Sequence, residues 1–104
     1  PTTFVAWQFR GRINRQLDDT NDSKGLAVPY YEKYVELITI TKPELAAKNA
    51  SGLVEAYIYL GSVAARRDRD NTKARDYFNK VLVLDPNNDV VKQALKAISS
   101  GGKS

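Results

Sequence analysis

The stretch Asn79-Lys80-Val81-Leu82-Val83-Leu84-Asp85-Pro86-Asn87-Asn88-Asp89 decides the fold. Its apolar run, Val81 to Leu84, suits either a buried strand or the last turn of a helix. The residues before it settle the matter. Ala74, Tyr77, Phe78, Val81 and Leu82 recur at spacings of three and four, the period of an amphipathic helix. A period-2 strand through the same residues would bury Lys80 or expose Phe78. The run is therefore expected to close a helix that begins near Thr72, with Asp70 or Asn71 as its cap. Pro86 cannot continue that helix and disfavours helical geometry at Asp85. Asn87 or Asn88 then caps a further helix carrying Val90, Val91, Ala94, Leu95 and Ile98. SSGGKS after it reads as a frayed tail.

Working back from Thr72, residues 53–67 (LVEAYIYLGSVAARR) place Leu53, Ala56, Tyr57, Leu60, Val63 and Ala64 on one helical stripe. Arg66 and Arg67 suit its C-terminal turn. The N-terminal half repeats the alternation. Thr3 is placed to cap a helix through FVAWQFRGRINRQL, with Phe4, Trp7, Ile13 and Leu17 as its apolar side. The loop DDTNDS follows. GLAVPYYEKYVELITI is the next helix, starting near Ser23 to Gly25 and bending at Pro29, with Leu26, Ala27, Tyr30, Tyr31, Tyr34, Leu37 and Ile38 as anchors. Ile38 to Thr41 frays into the connection KPELAAKNAS, which has room for one short turn. The expectation is an all-α protein of about five helices: two helix-turn-helix pairs, near 3–41 and 50–85, and a capping helix over 88–98. Residues 1–99 make one domain, and 100–104 a disordered tail.

Composition removes several functions. The chain has 104 residues, enough for one modest core. It lacks Met, and its first residue is Pro1, so it reads as part of a longer protein. There is no Cys and no His. That excludes disulfides, thiolate nucleophiles, Ser/His and Cys/His catalytic arrangements and the usual transition-metal ligands. A carboxylate or Tyr/Lys enzyme has no motif to support it. No apolar run approaches the ~18 residues of a membrane helix. Net charge is +4, but Arg66, Arg67, Arg69, Lys73 and Arg75 alternate with Asp68, Asp70 and Asp76. Such a mixture is a solvated surface rather than a nucleic-acid stripe. GGKS at 101–104 mimics the end of a phosphate-binding loop, yet the Gly required at 97 is Ala97 and no strand precedes it. Asp18 to Ser23 supplies oxygens but not EF-hand spacing. No cofactor and no metal is expected.

The two pairs share a pattern. Trp7 precedes Gly11 by four residues, as Tyr57 precedes Gly61. Ala27 is followed at plus four and plus seven by Tyr31 and Tyr34, and Ala74 by Phe78 and Val81. Tyr57, Leu60, Gly61, Ala74, Phe78, Val81 and Pro86 resemble the tetratricopeptide repeat, a helix-turn-helix unit of about 34 residues. The first pair is looser: Arg10 stands before Gly11 in place of Leu, its turn is longer, and no Pro closes it. PYYEKYVEL, GLVEAYIYLG and KVLVLDPNN are similar to C-terminal repeats of envelope-associated tetratricopeptide proteins of Gram-negative bacteria. That implies a periplasmic or cell-envelope location.

The resemblance implies a non-enzymatic scaffold or adaptor that binds a peptide along the concave face formed by the first helix of each pair. Transferred by position, the partner-binding residues are Gln8, Arg12, Arg15 and Phe9 on the first helix, and Glu55, Tyr59, Ser62 and Arg66 on the third. Tyr59 lies off the packing stripe. It is either an exposed anchor or is covered by the connection 41–52. The arginines favour an acidic segment or a terminal carboxylate. Gln8, Arg12 and Tyr59 stand where chaperone-binding relatives carry a carboxylate clamp, which disfavours that role. The alternative is self-association through the convex or terminal surface, because two repeats are few for this architecture.

Overall fold

The computed structural model describes residues 3–19, 24–41 and 43–101. Five α-helices run in order: α1 (Thr3–Leu17), α2 (Val28–Glu36), α3 (Ala50–Arg66), α4 (Asn71–Leu84) and α5 (Asp89–Gly101). A single π turn, Leu37–Thr41, extends α2, and a short 3-10 turn, Pro43–Leu45, lies in the connection to α3. No strand occurs among the described residues. The chain is an all-α helical repeat: α1 packs on α2, α3 on α4, and α5 closes on α4.

The run 81–84 ends α4. Val81 is 0% exposed and Val83 82%, a contrast that helical rotation produces here along with buried Ala74 and Phe78. The Asp70 carboxylate accepts the Lys73 N–H at 3.0 Å, capping α4. Asp85 leaves helical geometry just before Pro86. Asn88 Oδ1 accepts from Val91 N–H at 3.0 Å and caps α5, while its amide donates to the Asp85 carboxylate at 3.1 Å. The helix continues to Gly101, beyond the expected end at 98, and residues 102–104 lie outside the described residues.

Three expectations change. First, α2 starts at Val28 rather than near Ser23–Gly25. Pro29 therefore sits at the second helical position, where its missing N–H costs no intrahelical bond. Gly25, at φ 62°, turns the chain in ahead of it. Second, α1 begins at Thr3, so Thr3 is helical rather than the residue before the helix. Third, Ile13 and Leu17 do not join Phe4 and Trp7 against the core, and Leu26 and Val90 are also exposed.

The two pairs pack alike. A Cβ on Gly61 would fall 2.6 Å from the Phe78 ring, and one on Gly11 would fall 3.1 Å from the Tyr31 ring. The small residue lets the second helix approach and the aromatic fills the space. Beside each contact lies a second ring pair, Trp7 with Tyr30 and Tyr57 with Tyr77, both with centroids 6.1 Å apart. Trp7, Gly11, Tyr57 and Gly61 correspond at a shift of 50, and Tyr30, Tyr31, Tyr77 and Phe78 at a shift of 47. The first pair has the longer turn. In the shorter second turn Arg69 adopts φ 54°, the left-handed region that lets α3 end and α4 begin within four residues.

α3 is the central helix. Nine of its 17 residues are buried, too many for one stripe. It meets α4 on one side, and α2 and α1 on another. This double engagement positions the candidate site.

Candidate functional site

Glu55 is the sole acidic residue on α3, set among apolar neighbours. Its carboxylate collects four hydrogen bonds across helices. Arg12 donates through Nε to Oε2 at 2.9 Å and through Nη2 to Oε1 at 2.6 Å. Tyr31 donates its hydroxyl to Oε2 at 2.6 Å, and Gln8 donates Nε2 to Oε1 at 3.3 Å. The hub ties α1, α2 and α3 together. Gly52, one turn before Glu55, gives the Tyr34 hydroxyl room, since a Cβ there would collide with it.

Charge and burial pull against each other at this hub. Burial pushes the Glu55 carboxyl up. The hydrogen bonds from Arg12 and Tyr31 more than offset this and hold it below the usual carboxylate range. Burial, and then the bond to Glu55, push the Tyr31 hydroxyl up, so Tyr31 remains a donor. The Glu55 hydrogen bond raises the Arg12 guanidinium further. Arg12 is 55% exposed, so the ion pair itself adds about 0–1 kcal/mol to stability. Its larger effect is geometric. Two parallel bonds fix the plane of a guanidinium that still faces solvent.

Of the residues expected to bind a partner, Gln8, Arg12 and Glu55 come together in this cluster. Arg15 lies beside it, its guanidinium 5.2 Å from the centroid of the Tyr59 ring. Ser62 is half-buried one turn further along α3, and Arg66 is exposed in its last turn. Tyr59 is a correction. It is 0% exposed, its ring 5.0 Å from that of Tyr31, its hydroxyl accepting the Ala27 N–H at 3.1 Å. Tyr31, Arg15 and Ala27 lie against it, so an exposed anchor does not describe it. The cause is the second buried side of α3. Phe9 is exposed, but it lies on a different side of α1 from Gln8, one residue and about 100° away. The electrostatics also change: Glu55 pairs with Arg12, while Arg66 stands exposed in the last turn of α3.

Tyr31 and Tyr34 are site residues that stripe analysis treats only as packing. The signal for Tyr31 was Glu55 itself, a lone carboxylate on an apolar helix that needs donors. On the other side of the molecule, a groove of ≈ 490 Å³ lies between the π turn and α4, floored by Leu53 and Tyr57. Ile40 and Val83 stand exposed on its lips.

Other expected features are smaller. The Asp18 carboxylate accepts N–H groups from Asp19, Lys24 and Leu26. Thr20 to Ser23 lie outside the described residues. Among the described residues no helix is long and apolar enough to cross a membrane. Comparison of the chain with models of protein families, with curated proteins and with solved structures finds no match.

Proposed function

We propose that the chain is a non-enzymatic interaction module of tetratricopeptide type, a scaffold or adaptor segment of a longer envelope-associated protein. It binds an extended peptide on the face where α1 and α3 lie side by side. The observation that supports this most is the Arg12 guanidinium, half-exposed and held in a fixed plane by Glu55. A preorganised donor loses little freedom when a ligand carboxylate or backbone carbonyl meets it. The exposed Arg66 at the end of α3 gives the face its preference for acidic segments.

The test is fluorescence anisotropy of the full chain with three labelled peptides of equal length, acidic, neutral and basic. The acidic peptide is expected to bind tightest and to weaken about tenfold in Arg12→Gln/Arg66→Glu, for the loss of two charge-assisted contacts. Circular dichroism checks that the variant stays folded. Equal binding of all three peptides, or no effect of the variant, would remove the proposal.

A second reading is self-association through the opposite side. The exposed pair Ile40 and Val83 at the mouth of the apolar groove favours it. Sedimentation of the chain and of Ile40→Glu/Val83→Glu over a hundredfold range of concentration decides it. A mass that rises with concentration only in the parent chain supports this reading, and a constant monomer mass rejects it.

A further inference from the structure

α1 carries an apolar row that nothing in the described fold covers: Val5, Phe9, Ile13 and Leu17, all exposed. At a spacing of four residues the row spans roughly 18 Å of helix. Its meaning comes from the internal repeat. The shift of 50 that pairs Gly11 with Gly61 also pairs these residues with Glu55, Tyr59, Val63 and Arg67. On α3 that row is the contact with the preceding pair. Glu55 accepts the Tyr31 hydroxyl, and Tyr59 packs on Tyr31 and accepts from Ala27. Val63 is buried, and Arg67 donates to the Lys24 carbonyl at 3.1 Å. Phe9 is 62% exposed where Tyr59 is 0%, and Ile13 is 42% where Val63 is 2%.

We propose that the α1 row docks the second helix of a further helix pair of the same kind, joined ahead of α1 as α2 is joined ahead of α3. Both second helices of this chain already have this role filled: α2 is packed by α3, and α4 by α5, whose Val91 is fully buried. A second copy therefore has no free helix of this type to offer. The substitutions along the row specify the occupant further. Val5 replaces Glu55, so a tyrosine hydroxyl at the position of Tyr31 would lose its acceptor. The docking helix should carry Phe there, four residues after an Ala. Leu17 replaces Arg67, so the turn ahead of that helix meets an aliphatic group rather than a carbonyl-seeking guanidinium. The inference is independent of peptide binding at Arg12.

The test extends the chain by one pair. Residues 1–49 carrying Tyr31→Phe are placed ahead of the full chain, which gives a link of residues 42–49 and 1–2 before α1. Thermal melting by circular dichroism compares this tandem with the chain alone. Expected is one cooperative transition whose midpoint rises by more than about 5 °C. Phe9→Asp in the inner copy should abolish the gain, and Phe9→Asp in the outer copy should leave it intact. Restoring Tyr31 in the added pair should reduce it. Two separate transitions, an unchanged midpoint, a tandem without added helix, or equal effects of the two Phe9 variants would overturn the proposal.

Discussion

Replacing Glu55 by Ala removes the acceptor of a buried hydroxyl and the partner of a half-exposed cation, and the two losses differ in size. Tyr31 is 0% exposed, so its hydroxyl, left without the bond of 2.6 Å, costs about 1–3 kcal/mol. Arg12 can turn to water, and its loss adds about 0–1 kcal/mol. The expected destabilisation is about 2–3 kcal/mol, a fall in Tm of about 10–15 °C for a domain of this size. Tyr31→Phe alone should cost about 1–2 kcal/mol, since Glu55 keeps Arg12 and Gln8. Together the two substitutions should cost about 1–2 kcal/mol less than the sum of the singles, because Glu55→Ala no longer strands a hydroxyl. Urea unfolding at pH 7, followed by far-UV circular dichroism on the four proteins, measures this cycle. Additivity within about 0.3 kcal/mol would show that the Tyr31–Glu55 bond does not carry the stability assigned to it.

The same carboxylate gives a pH signature. Its folded pKa is depressed, so its contribution is complete above the ordinary value of 4.5 and is lost as pH falls through the folded pKa. Between pH 6 and pH 3 the parent chain should lose more stability than Glu55→Gln, as measured by urea midpoints. Gly61→Ala should cost about 1 kcal/mol, since overpacking against Phe78 outweighs the gain in helix propensity. Gly11→Ala, with its Cβ at 3.1 Å from Tyr31, should fall between neutral and about 1 kcal/mol stabilising in the same assay. Asp70→Ala should cost about 1 kcal/mol through the lost cap, and Arg69→Gly at φ 54° should gain about 0.5 kcal/mol, both read from urea midpoints.

The periodic part of the fold was legible because helices announce themselves locally. Asp70, Asn88 and Pro86 mark the ends of α4 and α5 by their own chemistry, and the matched Gly and aromatic positions anticipate both close helix contacts. Tyr59 was illegible to the same logic. A single apolar stripe gives a helix one buried side, whereas α3 has two, and the second is made by residues 27 and 31, far away in sequence. Ile13 and Leu17 fail in the opposite direction. Their spacing marks an apolar row correctly, but the row points away from the core. Arg12 is exposed, as its spacing implies, yet its pairing with Glu55 depends on a contact 43 residues apart that spacing does not encode. Pro29 shows how a local rule can be applied at the wrong place. Its restriction is real, and the helix accommodates it by starting later, with no bend required.

The placement of the one tryptophan makes the chain its own two-channel spectrometer. Trp7 packs against Tyr30, with the Arg10 guanidinium 5.1 Å from its ring centroid, all within the first pair. Indole emission therefore watches the α1–α2 contact alone, while tyrosine absorbance reports on α2, α3 and α4 and peptide dichroism sums over all five helices. Coincident traces on heating would mean that the central helix welds the pairs into one folding unit. An early indole signal would mean that the outer pair peels away first, as neighbour-coupled arrays allow.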